Sequence, residues 1–290
     1  MSDFLMAPNA WLLSLAVALG SMSASAQTKQ LGADLYAYIS DNDASANSTF
    51  LIGDSEILVV DTGLNATEGA KLLAAIRQIS KLPVKFIVNT HYHPDHQGGN
   101  LTVGPDATVI STDYTRARTI DLANAPGMDD FHFRAASLTF PKRIRLYVGR
   151  HVVEVYFPGK GHTSGDAIVY FIEQHTVAMG DLFLNRSSPA MDDGSAANWI
   201  DALDHVLSLP VEKAVPGHFD VGTRADLQRF RDYLKDLYAQ VRSLKNKGES
   251  VDQVRQDIHM ERYSDFRQYP NYHATFPDNA ATIYNQLKSH

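Results

Sequence analysis

Beyond residue 27 the apolar positions fall into short runs and longer helical stretches. Residues 35–39, 50–52 and 56–60 predict three successive strands separated by Gly and Asp turns. Residues 66–80 carry leucines and an isoleucine at helical spacing and stop before Pro83, which predicts a helix. Strands are expected again at 84–88 and 108–111, followed by a hairpin over 145–157 that turns through Gly149 and a buried strand at 167–172. Residues 197–209 and 224–244 predict helices, the second with Leu227, Phe230, Tyr233 and Leu237 on one face. Residues 121–141 show no clear period and read as a long loop or lid. The mixed, mainly helical stretch after Lys247 follows without a linker. This order of strands and helices predicts an α/β protein whose sheets are covered by helices on the outside.

Composition narrows the picture. A chain of 290 residues, 44% of them hydrophobic, holds enough apolar material for one large core and too little length for two full domains. Residues 27–290 are therefore expected to form a single domain with a helical C-terminal part. The net charge is -7, and the densest basic run, Lys142-Arg143-Ile144-Arg145, is short and interrupted. A phosphate-tracking surface needs clustered cations, so a small-molecule substrate is expected and nucleic acid is not. There is no cysteine, which removes disulfides, thiolate nucleophiles and sulfur-ligated metals.

The N-terminus carries its own signal. Trp11-Leu12-Leu13-Ser14-Leu15-Ala16-Val17-Ala18-Leu19 is an apolar run too short to span a membrane, and Ala24-Ser25-Ala26 reads as a cleavage site. Residues 1–26 are thus expected to be a signal peptide, leaving a periplasmic or secreted protein with no membrane association after cleavage. One feature opposes this: the leading segment holds Asp3 and no Lys or Arg.

The densest chemistry lies in Asn89-Thr90-His91-Tyr92-His93-Pro94-Asp95-His96-Gln97-Gly98-Gly99, directly after a predicted strand. In extended chain His91, His93 and Asp95 point to one side, and Pro94 biases His93 away from helix. His96 breaks the alternation and is free to serve a neighbouring centre. Gly98 and Gly99 are expected to let the backbone turn tightly. Nitrogen and carboxylate donors at this density suit zinc, because desolvating them together without a metal is costly. Tyr92, between two of them, reads as a packing residue. Three later segments each present one more ligand-type side chain after a glycine: Gly161-His162-Thr163-Ser164-Gly165-Asp166, Gly180-Asp181 and Gly217-His218. His132, His151, His175, His205, His259, His273 and His290 have no motif around them.

Together with Leu58-Val59-Val60-Asp61-Thr62-Gly63, these segments resemble the metallo-β-lactamase superfamily from about Leu31 to Val221. The resemblance implies a four-layer αββα sandwich and two zinc ions. His91, His93 and His162 would hold one ion; Asp95, His96 and His218 the other, with Asp181 bridging them. Asp61 would orient the metal loop without binding metal. Asp95 and Asp181 would serve catalysis, on a hydroxide whose pKa the two metals lower.

The resemblance is mixed over substrate. Gly159-Lys160-Gly161-His162-Thr163 is similar to the broad-spectrum dizinc β-lactamases. Those enzymes usually carry cysteine where this chain has Asp181, and a substrate-binding lysine where it has Leu184. Asp181 is instead similar to the bridging aspartate of glyoxalase II and the lactonases, and residues 180–199 resemble periplasmic metallo-hydrolases. The expectation is a zinc-dependent hydrolase opening an acyl C(=O)–X bond in an ester, thioester or lactone, and a β-lactam only weakly. The alternatives are an efficient metallo-β-lactamase, a phosphodiesterase or nuclease, and a non-enzymatic zinc-binding protein. A flavin-coupled diiron reading lacks the second domain it would need.

Overall fold

The computed structural model describes residues 26–125 and 133–287. The expected signal peptide up to residue 25, residues 126–132 of the expected lid, His132 and His290 lie outside the described residues.

The chain opens with four strands, β1 (Gln27–Gly32), β2 (Leu35–Ile39), β3 (Ser48–Ile52) and β4 (Ile57–Val60), each antiparallel to the one before. Helix α1 (Ala66–Ile79) leads to β5 (Val84–Val88), and the short helices α2 (Pro94–Gln97) and α3 (Asn100–Val103) lead to β6 (Thr108–Thr112). Helix α4 (Asp113–Ala123) and β7 (Leu138–Phe140) complete a seven-stranded sheet whose β4, β5, β6 and β7 run parallel. The second sheet has six strands. Its hairpin of β8 (Arg143–Val148) and β9 (His151–Tyr156) is followed by β10 (Ile168–Phe171), β11 (Thr176–Ala178), β12 (Lys213–Val215) and β13 (Gly222–Thr223). Helix α5 (Ala196–Ser208) precedes β12, and α6 (Arg224–Asn246), α7 (Val251–Asp257) and α8 (Phe276–Gln286) close the chain.

Three apolar layers follow from strand alternation. On β4, Leu58 and Val60 face the space between the sheets, while Ile57 and Val59 face α1 and its Leu72 and Ile76. On β10, Val169 and Phe171 meet the first sheet, whereas Ile168 and Tyr170 join Trp199 of α5 and Leu227, Phe230 and Leu237 of α6. Helices therefore cover both outer faces of two packed sheets, the αββα sandwich expected above. Each fully buried leucine on α6 stabilises this outer layer by about 1.5–3 kcal/mol.

Two expectations change. The segment 121–141 is not a single loop: α4 runs to Ala123, and Leu138–Phe140 pair with β6. Its helix escapes the period test because it buries only Thr115 and Thr119 rather than an apolar stripe. β1, whose side chains are mostly exposed at the sheet's edge, also gave no sequence signal.

Candidate metal centre

All seven predicted ligand residues come together where strands of the two sheets end. β5 delivers His91 and His93. Residues 92–93 stay outside the regular elements, and Pro94 at the first position of α2 holds His93 extended, with φ -61° and ψ 143°. Asp95 and His96 then lie on α2, so Asp95 does not continue the extended line through His91 and His93. It faces the other group of ligands. Gly98 and Gly99 have a different role from the one expected. Gly98 has an ordinary φ of -63°, and a Cβ there would meet the Leu64 carbonyl oxygen at 1.8 Å. It is needed for close backbone approach, not for a special turn.

The first group converges through ring nitrogens. His93 Nδ1 lies 3.0 Å from His91 Nε2 and 3.2 Å from His162 Nε2. The remaining nitrogens of His91 and His162 are occupied: His91 Nδ1 faces Thr90 Oγ1 at 3.1 Å, and His162 Nδ1 donates to the Ala190 carbonyl at 3.2 Å. Each of these contacts directs Nε2 inward. Asp181 completes this group, and Asp95, His96 and His218 form the second; within each group the ligand atoms lie within 4.8 Å of one another.

Asp61, 2% exposed, sits beneath both. Its carboxylate accepts from Thr90 N at 2.8 Å, from Thr90 Oγ1 at 2.7 Å and from His96 Nδ1 at 2.8 Å. It therefore orients the loop and leaves His96 Nε2 facing the site, the role the resemblance implied.

Electrostatics separate the two groups. Burial holds His91 well below its ordinary pKa, helped by the imidazoles of His96 and His93, and burial pushes His162 down to about 4. Burial also opposes charge on His96 and His218, but Asp95, Asp61 and Asp181 outweigh it at His96, and Asp181 and Asp95 at His218, so both are raised. Burial likewise opposes the Asp181 carboxylate, yet His218 and His96 hold it well below the usual range. The second group thus draws protons to balance its carboxylates, as an anionic cage does when it offers a place to cations.

Residues outside the predicted set fix this geometry. Trp199 Nε1 donates to Leu182 O at 2.9 Å, pinning the turn that carries Asp181, while its ring meets His162 edge-on at 5.6 Å. Asp166 accepts from Gly161 N, Thr163 N and Thr163 Oγ1, which closes the turn that presents His162. Asn47 clamps the loop around His218: its Nδ2 donates to Pro216 O at 3.1 Å and Phe219 O at 2.7 Å. A cavity of about 40 Å³ opens beside His218, lined by Asn42, Asp43, Asn47 and Phe219 among others. Tyr92 is not free packing material, since its hydroxyl donates to Asp193 Oδ2 at 2.7 Å.

The sequence profile of the Metallo-beta-lactamase superfamily matches residues 41–218. The chain belongs to that superfamily. Its homologues are metal-dependent hydrolases, and this chain is a superfamily hydrolase with His/Asp clusters that could hold metal. The chain is 27% identical over 205 residues to a metallo-beta-lactamase type 2 of Bacillus cereus, covering 68% of this chain and 76% of that one. A metallo-beta-lactamase from Pontibacter korlensis shares its fold with a TM-score of 0.63 at 22% identity, over 72% of this chain and 99% of that one. The sec-alkylsulfatase Pisa1 from Pseudomonas sp. reaches a TM-score of 0.74 at 17% identity. That likeness covers 90% of this chain and 50% of Pisa1. The superfamily profile ends at His218, so Phe219 and helices α6 to α8 lie beyond it.

Proposed function

We propose that the protein is an exported two-zinc hydrolase that opens an acyl C(=O)–X bond in an ester, thioester or lactone, and turns over β-lactams weakly. The observation that carries this reading is the division of Asp181 between the groups. Its Oδ2 lies 3.6 Å from His162 Nε2, while its Oδ1 lies 3.3 Å from His96 Nε2 and 3.7 Å from His218 Nε2. The residues fit a metal pair. His96 Nε2 and Asp181 Oδ1 are buried without a hydrogen-bond partner, a cost that polar groups rarely bear unless something else satisfies them. Seven nitrogen and oxygen ligands, with no sulfur, exceed the roughly four that one zinc takes.

His91, His93, His162 and Asp181 would hold one ion, and Asp95, His96, His218 and the other Asp181 oxygen the second. When bound, such a pair acidifies a water and polarises the attacked carbonyl. The residues do the rest. Asp95 Oδ2 lies 3.1 Å from His218 Nε2 on a side chain that stays 22% exposed, where it can accept a proton from the attacking water and return it to the leaving group. Tyr92, engaged by Asp193, is not offered to an oxyanion. Leu184 places no cation at the site either, because it is 8% exposed within the apolar layer that contains Trp199. Asp181, shared between the two groups, takes up coordination room that a departing lactam nitrogen would use, whereas an alkoxide or thiolate leaves more easily without it.

Export is supported by the apolar run at 11–19 and the Ala24-Ser25-Ala26 motif, and by β1 starting at Gln27, the residue that cleavage would leave first. The test is a panel of matched ester, lactone, thioester, β-lactam and phosphodiester substrates given to zinc-loaded protein. Esters, lactones or thioesters are expected to give the highest kcat/KM. A penicillin or carbapenem above every ester would make it a true β-lactamase, and no turnover at all would leave a zinc-binding protein. N-terminal sequencing from the native host is expected to begin at Gln27; an intact Met1 in a soluble cytosolic fraction refutes export.

A further inference from the structure

We propose that Arg267, in the C-terminal part beyond the superfamily match, is the cation that receives a substrate carboxylate beside the metal centre. The inference rests on the hydrolase reading above and names the substrate class it takes: acyl compounds that carry a second, anionic carboxylate.

Phe219 follows His218 directly and lines the same small cavity. Its φ of 71° is a left-handed conformation that a bulky side chain rarely adopts, and such strain persists only where surrounding contacts enforce it. Here Asn47 holds its carbonyl, and its ring stacks on Tyr269 at 6.0 Å with 6° between the planes. The strained ring stands 6.1 Å from the His218 ring, centroid to centroid. The Arg267 guanidinium lies over it, 4.5 Å from the centroid. A platform next to a candidate metal ligand therefore carries a cation.

The backbone fixes the segment that bears this exposed side chain. Arg267 N donates to Arg186 O at 2.9 Å, and Arg267 O accepts from Ser188 N at 2.9 Å, so the segment is laced to the loop that follows Asp181. Its guanidinium has no carboxylate partner among the described residues. The nearby acids are engaged elsewhere: Asp220 pairs with Lys29 at 2.8 Å, and Asp226 faces Arg186 at 3.8 Å. Asp43 is the acidic group whose charge reaches Tyr269, where Arg267 opposes it, and the two form no ion pair. A stacked guanidinium with its donors unpaired is suited to bidentate recognition of a carboxylate. It supplies the charge that Leu184, buried in the core, does not.

The test uses the zinc-loaded full chain and the variants Arg267→Gln and Arg267→Lys. Because the Arg267 side chain makes no hydrogen bond or ion pair among the described residues, both variants are expected to keep the wild-type melting temperature. Kinetics compare mono-4-nitrophenyl glutarate with 4-nitrophenyl butyrate. Arg267→Gln is expected to raise KM for the glutarate by about ten- to hundredfold, the usual worth of a charged hydrogen bond, and to leave its kcat and both constants for the butyrate unchanged. Arg267→Lys should recover part of the loss. Calorimetric titration with phenylacetate, against phenylacetamide as the neutral control, reads the same subsite without turnover. Wild type is expected to bind phenylacetate at least about tenfold more tightly than Arg267→Gln. If wild type hydrolyses neither ester while phenylacetate binding still depends on Arg267, the reaction reading falls and the subsite stands. If Arg267→Gln affects both esters alike or neither, and phenylacetate binding does not change, the subsite is overturned.

Discussion

Replacing Asn47 with alanine separates the stability of the His218 loop from its ability to bind metal. Asn47 is 4% exposed and bonds on three sides. Its Oδ1 accepts from Ser40 N at 3.2 Å, and its Nδ2 donates to Pro216 O at 3.1 Å and Phe219 O at 2.7 Å. Alanine leaves both carbonyls without this donor. A buried acceptor deprived of its partner costs about 1–3 kcal/mol, so two would cost up to about 6 kcal/mol if nothing relaxed. Two effects reduce that figure. The adjacent cavity of about 40 Å³ has room for a water to reach part of the gap. Phe219, held at a φ of 71°, can relax once its carbonyl is released, returning about 1–3 kcal/mol of strain.

The expected net loss is therefore about 2 kcal/mol, which at this chain length lowers Tm by roughly 4–8 °C. Relaxation that rescues stability moves His218 away from Asp95 and Asp181, so the second zinc should weaken by about ten- to a hundredfold, as loss of an orienting contact usually does. The first zinc should weaken much less, because Asp181 is the one member of its group held against this loop, through the bond from Gly217 N to Gly180 O. The assay is a melting curve of the metal-free variant together with a zinc titration that resolves two equivalents. Unchanged affinity for the second equivalent, alongside a lowered Tm, would show that Asn47 only supports the fold. Equal weakening of both equivalents would refute the separation of the two groups.

Two further outcomes follow from burial and charge. Leu184→Lys, which similarity to the β-lactamases makes tempting, should lower stability by about 2–4 kcal/mol and leave penicillin kcat/KM no higher. Its ammonium would enter the apolar layer around Trp199, although a long stem can lead it partly back to water. A selective gain on carboxylate-bearing β-lactams at unchanged Tm contradicts this. Zinc binding should also release protons near neutral pH, because His96 and His218 have raised pKa values in the metal-free protein and must lose a proton to become ligands. Affinity at the second group is thus retained above those raised values and falls as pH drops through them. Calorimetry in buffers of different ionisation enthalpy should show a buffer-dependent heat on the second equivalent, and identical heats in all buffers would exclude it.

What the sequence disclosed depended on the distance over which a contact acts. Strands such as Val84–Val88, and α6 with its apolar stripe, announce themselves through spacing, because one buried face imposes a period. The seven ligand candidates were legible because their types are costly to bury together without a cation. Asp95 illustrates the limit: alternation put it with His91 and His93, but one turn of helix after Pro94 puts it with His96. Asn47 and Arg267 leave no local pattern. Asn47 meets its partners about 170 positions away, and Arg267 meets a ring near position 219 across the end of the sandwich. Leu184 was read correctly as supplying no cation, but its burial against α5 and α6 was not legible from its distance to Asp181 in sequence.

Strand direction explains why the candidate metal ligands gather at this end. Parallel pairing of β4 with β5 puts the loops after both strands side by side, so Asp61 lies next to Thr90 and His91. Parallel pairing of β11 with β12 does the same in the second sheet, and Gly217 N donates to Gly180 O at 2.8 Å across the two loops. That contact leaves no room for a side chain: a Cβ on Gly217 would stand 1.9 Å from Asp181 Oδ1. Facing sheets then bring the two pairs of loops together, as polar sites commonly form beyond the carboxyl ends of parallel strands. Every element in this construction lies within residues 41–218, the extent of the superfamily match. The guanidinium proposed to select the substrate lies outside it, on a segment tied back to residues 186–188. If the proposal holds, changes to that segment alter which substrates bind while Asp61, Asn47 and the paired glycines keep the ligand residues in place. On that proposal, metal chemistry and substrate choice rest on different stretches of this chain, and a variant that loses activity on one ester alone is expected to map to the second stretch rather than the first.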